Sequence, residues 1–438
     1  MTAETERQAA LGVVEPIALL EKAEVGIADT VKPTAAENPL VTTFVERMDK
    51  VPSLDAALKH DLEQRAIAAV GDDIYPAYGR MTAALDALKP RAREQADGVA
   101  RLPDGAAYYA LMVKQMTTTD YTPEQIHTLG LNEVARIDAQ MNTLLVAQGL
   151  KEGTVAARMQ ALAKDPRFLY PNTDAGRKQM LARYQQILDD VNARMPEYFR
   201  TQPPGKLLVE RVPLAAEKGS AGAYYEGAAM DGSRPGKFFA NLRDLNETPT
   251  WSMKTLAYHE GIPGHHFQIS TAMGLKNLPL IRQQTIYSAY AEGWALYAEH
   301  FAAEIGLYKD DPWGDLGRLQ GELFRAVRLV VDTGLHSQGW SRQQAIDYMV
   351  NTTGMSEGEV VSEVERYMGL PGQALAYKVG ELKILELRER ARRELGSRFD
   401  IKAFHAVVLE NGGVPLTILE QLVDEWIAKT KAAAPAVS

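Results

Sequence analysis

Three of the eight histidines in this 438-residue chain lie within one segment of eight residues, and an acid follows the first of them. The segment, residues 259–266, reads HEGIPGHH. A catalytic zinc site needs about three His or carboxylate ligands, an open position for water, and a carboxylate beside that water. A helix supplies two ligands when the histidines are four residues apart and a Glu follows the first. His259 and Glu260 match this pattern, but position 263 is proline.

The Pro263-Gly264 pair decides where a second ligand can come from. On an unbroken helix His265 would face away from His259, and His266 would lie about 10 Å further along the axis. Because proline removes a helical hydrogen bond and glycine accepts unusual dihedral angles, a two-residue bulge could bring His265 to the second ligand position. We predict that His266 then faces the substrate. In the alternative, the helix ends at Pro263 and the histidines cap its carbonyl groups.

A third ligand is expected from a later helix, and Glu292 is the best candidate. It lies in an apolar and aromatic stretch, residues 288–299, where a buried carboxylate needs a partner or a metal. A buried arginine partner is the alternative. Glu299, two turns later on the same face, could orient a ligand histidine, but we interpret it as an exposed residue.

Hydrolysis of an amide by water builds negative charge on the carbonyl oxygen, which a Tyr, His or Arg near the metal commonly stabilises. His336 follows Asp332 and Arg328 at helical spacing on an otherwise apolar helix. Asp332 could fix the tautomer of His336, and Arg328 is predicted to contact substrate. A buried salt-bridge line that only packs fits these residues equally well. Tyr377 follows a Pro-Gly turn at 371–372, which can present a phenol at a cleft.

The surrounding pattern predicts a mostly α fold with a small β-sheet directly before the His-Glu segment. Residues 1–202 form an N-terminal helical region, in which 58–88 is amphipathic and Thr122 caps a helix. Residues 203–250 form the small sheet, and residues 251–438 form a helical catalytic region. Three β-rich runs, separated by Gly and Pro clusters, lie at 206–212, 223–225 and 236–242.

Charge and composition exclude several classes of function. The net charge is -9, which argues against a nucleic-acid partner. The chain has no cysteine, so disulfides and thiolate metal sites are excluded, and it has no apolar run long enough for a membrane span. Its N-terminus is polar and acidic, so we expect a cytoplasmic protein as written, or a periplasmic or secreted one if an export signal has been removed. The sequence predicts no particular oligomeric state.

Three patterns together resemble the DUF885 family of bacterial proteins, which is similar to the gluzincin zinc peptidases such as the oligopeptidase and thermostable carboxypeptidase groups. They are HExxPGHHxQ at 259–268, EGWALYAE at 292–299 and RYxxxPGQAxxYxxG at 366–380. The resemblance extends from about residue 40 to about residue 428.

This resemblance implies a large helical, channel-bearing metallopeptidase-like fold with the sheet beside the active helix. It implies His259, His265 and Glu292 as the ligands of one Zn²⁺ per chain, Glu260 as general base and Tyr377 as the oxyanion-binding tyrosine. It also implies that the strand ending at Asn241 is an edge strand that pairs with an extended substrate, with Asn241 as a substrate contact.

The predicted function is therefore zinc-dependent hydrolysis of peptide bonds in short peptides, with metal-activated water and Glu260 as general base. One alternative is a metal-dependent amidohydrolase that acts on small non-peptide amides. The other is a non-catalytic metal-binding relative, which would have no need of the acid at Glu260.

Overall fold

The computed structural model describes residues 2–93, 97–214, 216–217, 220–229, 233–284 and 287–433. Helices account for 71% of the structure, and the only regular sheet among the described residues has three strands, so the predicted mostly α fold with a small sheet is confirmed. The chain divides into two compact units, one made of Met1–Ala107 with Gly339–Ser341, the other of Tyr108–Gln338 with Arg342–Ser438. The expected boundaries at 202/203 and 250/251 both fall inside the second unit.

Most of the helices follow one another with short connections, and the sheet lies in the long connection between Asn192 and Met253. The bounds of the helices are α1 Thr2–Ala10, α2 Ile17–Val31, α3 Pro39–Asp49, α4 Ala56–Ala68, α5 Tyr75–Arg93, α6 Gly105–Thr117, α7 Pro123–Ala147, α8 Val155–Leu162, α9 Asp174–Asn192, α10 Met253–Glu260, α11 His265–Gly274, α12 Leu280–Gln284, α13 Ser288–Glu304, α14 Pro312–Ser337, α15 Arg342–Thr353, α16 Glu357–Gly369, α17 Ala376–Leu395, α18 Ile401–Leu409 and α19 Leu416–Ala432. The predicted cap of α7 is confirmed, because Thr122 and Gln125 exchange side-chain-to-backbone hydrogen bonds in a capping box.

The sheet consists of β1 Leu207–Arg211, β2 Ala223–Glu226 and β3 Gly236–Ala240 in the order β1-β3-β2. β3 pairs in parallel with β1 and antiparallel with β2. The three runs were predicted, but the assignment of the strand before Asn241 as a substrate-binding edge is wrong. Since both sides of β3 are already hydrogen-bonded within the sheet, it has no free edge for a peptide.

α14 is the central helix of the second unit, and its apolar stripe is almost wholly buried. α7 approaches it closely at Gly130, where a Cβ atom would lie 2.7 Å from the Cβ of Leu329. This close packing explains why α7, which precedes residue 202, shares one unit with the helices after residue 250.

A buried ion cluster fastens α17 to α7 and α14. Lys378 is completely buried and donates to Glu322 at 2.7 Å and to Glu381 at 2.8 Å, with Glu133 3.2 Å away. Burial opposes the charge of Lys378, but the three carboxylates outweigh it and raise the pKa of that amine. Lys378 is therefore a fixed cation, and it holds the first turn of α17 in place.

α13 and α17 cross where two glycines face each other. A Cβ on Gly293 would lie 2.5 Å from the carbonyl carbon of Gly380, and a Cβ on Gly380 would overlap the carbonyl oxygen of Ala289. Only glycine at both positions allows this approach. The crossing brings Glu292, next to Gly293, towards Tyr377, which lies one turn before Gly380.

None of the described helices is both long enough and apolar enough to cross a membrane.

Candidate metal centre

The HEGIPGHH segment breaks the helix instead of bulging within it. α10 ends at Glu260, a four-residue loop with a cis peptide bond before Pro263 follows, and α11 begins at His265. Residue 264 must be glycine here, because a Cβ atom would overlap the carbonyl oxygen of His259. The expected two-residue bulge is thus replaced by a full helix break.

The break still brings His265 beside His259, as predicted. The two imidazole centroids are 4.9 Å apart and the rings are nearly perpendicular. The Nε2 atoms of His259 and His265 lie 3.5 Å and 3.3 Å from Oε2 of Glu292. Ligand atoms of all three residues lie within 4.8 Å of one another. We call His259, His265 and Glu292 the metal trio.

The donor set and spacing of the metal trio fit a divalent cation. Zinc–ligand bonds of about 2.0–2.2 Å in a tetrahedron place neighbouring ligand atoms about 3.3–3.6 Å apart, which matches the two His–Glu distances. Oε2 of Glu292 is buried and accepts no hydrogen bond from the described residues. A cation between the three donors would satisfy this oxygen.

In the absence of a metal, the carboxylates near the metal trio favour a proton on His259. Burial alone would raise the pKa of Glu292, but the neighbouring imidazoles hold that pKa well below its usual range. Burial disfavours the protonated His259 ring, yet the carboxylates of Glu292 and Glu299 raise its pKa to about 9. Because a ligand histidine must be neutral, metal binding here would release a proton.

Glu299 orients His259, so its interpretation as an exposed residue is wrong. It is 3% exposed, and one of its oxygens accepts a hydrogen bond from Nδ1 of His259 at 2.7 Å. Thr255 donates to the other oxygen. Because Nδ1 of His259 carries the proton and donates it in the hydrogen bond to Glu299, Nε2 of the neutral ring is unprotonated and faces Glu292. This is the tautomer that a metal ligand needs. In the sequence, the apolar residues of the segment 292–299 were the signal that Glu299 is buried.

Glu260 is the last residue of α10 and is 7% exposed. None of the described residues forms a hydrogen bond or ion pair with its carboxylate.

Sequence reasoning missed Tyr184 on α9, whose buried hydroxyl lacks a hydrogen-bond partner within the described part of the chain. Burial and the charges of Tyr170 and Glu260 raise the pKa of Tyr184, so this phenol lies within electrostatic reach of Glu260. No local sequence signal connects α9 to α10.

Tyr377 is the second residue of α17 and is half-buried. Burial raises its pKa, and the negative charge of Glu292 raises it further while Arg328 opposes the shift. The phenol therefore keeps its proton at neutral pH and remains a hydrogen-bond donor. Its electrostatic interaction with Glu292 agrees with the predicted place of Tyr377 beside the metal trio.

Arg328 lies against Tyr377 and not in an open subsite. It is 5% exposed, and its guanidinium donates to Tyr367 at 2.9 Å and to Glu363 at 2.8 Å. The guanidinium carbon lies 4.6 Å from the centroid of the Tyr377 ring. Arg328, which was predicted to contact substrate, thus contacts Tyr367, Glu363 and Tyr377 of the protein itself.

His336 and Asp332 fasten the segment that precedes Tyr377. Nε2 of His336 donates to the carbonyl of Tyr367 at 3.1 Å. Asp332 accepts from Tyr109 at 2.6 Å and from the backbone N–H of Gly372 at 3.0 Å. These side chains are buried, but the predicted salt-bridge line is wrong, because Asp332 and Arg328 bind other residues. The Nε2 atom of His336, which was predicted to stabilise the oxyanion, binds the carbonyl of Tyr367.

The other two predicted substrate contacts also have partners in the protein. His266 is 2% exposed, and its Nδ1 lies 3.0 Å from the hydroxyl of Tyr225. The side chain of Asn241 donates to the carbonyls of Glu217 and Ser220, so it fastens the loop before β2.

Comparisons with known proteins give a family and a fold. The family described as "Bacterial protein of unknown function (DUF885)" matches residues 1–423. A crystal structure from Colwellia psychrerythraea is 45% identical with a TM-score of 0.94, and the match covers 98% of this chain and 73% of that one. A solved structure from Shewanella oneidensis is 18% identical with a TM-score of 0.72, and the match covers 93% of this chain and 73% of that one. Both are described as putative lipoproteins. No curated protein matches the chain.

Proposed function

This chain belongs to the DUF885 family of bacterial proteins, and from its site we propose that it is a zinc-dependent peptidase that hydrolyses peptide bonds in short peptides. The observation that carries the proposal is the metal trio, whose His/His/Glu donors meet around a carboxylate oxygen that has no hydrogen-bond partner among the described residues. This donor set, next to a Glu without a hydrogen-bond or ion-pair partner in the described residues, is typical of hydrolytic zinc sites.

A bound divalent cation supplies Lewis-acid activation of water and of the substrate carbonyl. Glu260 accepts the proton of the attacking water and passes it to the leaving amine. Tyr377 donates a hydrogen bond to the oxyanion that forms on the carbonyl oxygen. Glu299 keeps His259 in the tautomer that presents Nε2. The preference for short peptides comes from the resemblance to gluzincin peptidases.

We place the site of action outside the cytoplasm. Support comes from the 45% identical Colwellia psychrerythraea protein, which is described as a "putative lipoprotein". Substrates in that compartment would be short peptides of the cell envelope or of the surroundings.

The test is cleavage of a mixture of short peptides by zinc-loaded wild type and by Glu260→Gln. We expect wild type to cleave and Glu260→Gln to lose at least about 10²-fold in rate while it keeps its zinc, because only the proton acceptor is removed. Cleavage of acylated amino acids without cleavage of peptides would support the amidohydrolase instead. A zinc-loaded wild type that cleaves neither would contradict the proposal.

A further inference from the structure

The guanidinium of Arg328 lies near three aromatic rings, and those of Phe324 and Tyr377 are nearer to it than that of Tyr367. The guanidinium carbon is 4.1 Å from the ring centroid of Phe324 and 4.6 Å from that of Tyr377. Both distances are well within the range of about 6 Å for a cation–π contact. Since the guanidinium is planar, it offers a flat face against which the Tyr377 ring can rest.

The guanidinium is itself held rigidly. Nε donates to the hydroxyl of Tyr367, and Nη2 donates to the carboxylate of Glu363. The same Glu363 oxygen accepts from Tyr367 at 2.7 Å and from Arg366 at 2.8 Å. Two hydrogen bonds on different nitrogens prevent rotation of the planar group, and the Arg328 side chain is only 6% exposed.

Tyr377, in contrast, is half-buried, and its backbone position alone does not fix its ring. The Gly293–Gly380 crossing places the start of α17, and the side chain still has two rotatable bonds. Two side chains act on the phenol: Gln373 lowers its pKa through a hydrogen bond, and the guanidinium of Arg328 lies against its ring.

We propose that Arg328 is a positioning residue, which holds the Tyr377 ring so that its hydroxyl faces the metal trio. This inference rests on the proposed function, in which Tyr377 donates to the oxyanion. A donor fixed before the reaction stabilises the transition state without reorganisation, and a misplacement of about 1 Å can cost about 10²-fold in rate. The motif RYxxxPGQAxxYxxG then has a physical meaning, since its Arg and first Tyr help to hold Arg328.

A double-mutant cycle tests the action through Tyr377. We expect Arg328→Met to lower kcat by about 10- to 100-fold with little change in KM, and to cost less than about threefold in the Tyr377→Phe background. Zinc content and thermal unfolding of each variant check that the site and fold are retained. An equal loss of kcat in both backgrounds would overturn the inference.

Arg388→Met is the matched control. Arg388 is also buried, also lies over a tyrosine ring (that of Tyr297, at 5.2 Å) and also pairs with a glutamate, Glu304. It does not lie against Tyr377. We expect any effect of Arg388→Met on kcat to be the same with and without Tyr377→Phe.

A spectroscopic measurement decides the positioning independently of activity. With 3-fluorotyrosine placed at position 377 of the full chain, we expect one narrow ¹⁹F resonance with Arg328 present and a broadened or split one in Arg328→Met. An unchanged line in Arg328→Met would overturn the inference. If wild type cleaved no peptide, the proposed function would fail while this spectrum still decided the role of Arg328.

Discussion

His259 of the metal trio and Tyr377 each contact a buried residue from another part of the chain. Glu299 accepts a hydrogen bond from His259, and Arg328 lies against Tyr377. The members of the metal trio could be predicted from sequence because their residue types and the motif point to them. The partners were misassigned because an acid or arginine on a helix is buried or exposed according to which helix packs on it, and a single sequence does not show that.

Glu299→Gln tests the orienting role at the scale of one side chain. An amide accepts a hydrogen bond from Nδ1 of His259 less strongly than a carboxylate, and it removes a nearby negative charge. We expect zinc affinity to fall by about 10- to 100-fold, measured by competition with a chelator of known affinity.

Glu304→Gln is the control, five residues further along the same helix. Glu304 pairs with Arg388 and His300 and not with the metal trio. The Glu304→Gln variant should have a lower free energy of unfolding and an unchanged zinc affinity. Equal affinities of Glu299→Gln and wild type would show that Glu299 does not orient the ligand.

Asp332 predicts a pH dependence of stability. Its complete burial raises its pKa to about 7, although Tyr109 and the N–H of Gly372 oppose the shift. A raised carboxyl pKa means that the folded chain binds the proton more tightly than the unfolded chain. The contribution of Asp332 to the free energy of unfolding is therefore fully present below about pH 4 and is lost as the pH rises through about 7. The loss amounts to up to about 4 kcal/mol.

Asp332→Asn removes this dependence, because an amide oxygen accepts the same two hydrogen bonds without ionising. Urea unfolding in the presence of chelator at several pH values should show the variant gaining on wild type between about pH 4 and 7. A difference that stays constant over this range would exclude the titration of Asp332.

At the scale of elements, local signals were predictive and long-range pairing was not. Thr122 caps α7 through residues three positions away, so the sequence contained the whole interaction. The three strands were found from their composition, but the central place of β3 depends on pairing with β1 and β2 across intervening loops. The helix break at 261–264 was half predicted: Pro-Gly indicated a disturbance, and its size depends on the packing of α11.

Gly380→Ala tests the α13–α17 crossing. The added Cβ overlaps the carbonyl oxygen of Ala289, so the two helices must move apart. We expect a loss of about 2–3 kcal/mol in the free energy of unfolding, measured with urea, together with weaker zinc binding as Glu292 shifts.

The matched control is Gly358→Ala in α16, where a Cβ meets nothing within 4 Å. It should leave zinc binding unchanged and stabilise the helix by up to about 1 kcal/mol. Equal stability of Gly380→Ala and Gly358→Ala would contradict the assigned crossing.

At the scale of the molecule, the metal trio and everything that holds it belong to the second compact unit. The sequence placed a boundary at residue 202, where composition changes from helical to β-rich. Composition does not report packing: α7 precedes residue 202 and α14 follows it, yet the two helices pack against each other. The first unit contributes no residue to the metal trio.

The most direct test of the account is the zinc content of wild type, His265→Ala and His266→Ala, each purified without chelator and loaded with zinc. The two histidines are neighbours, but only His265 lies in the metal trio, while His266 lies against Tyr225. The account predicts about one zinc per chain in wild type and in His266→Ala, and none in His265→Ala, with thermal unfolding confirming that all three are folded. A wild type that takes up no zinc, or a His265→Ala variant that retains it, would contradict the metal centre.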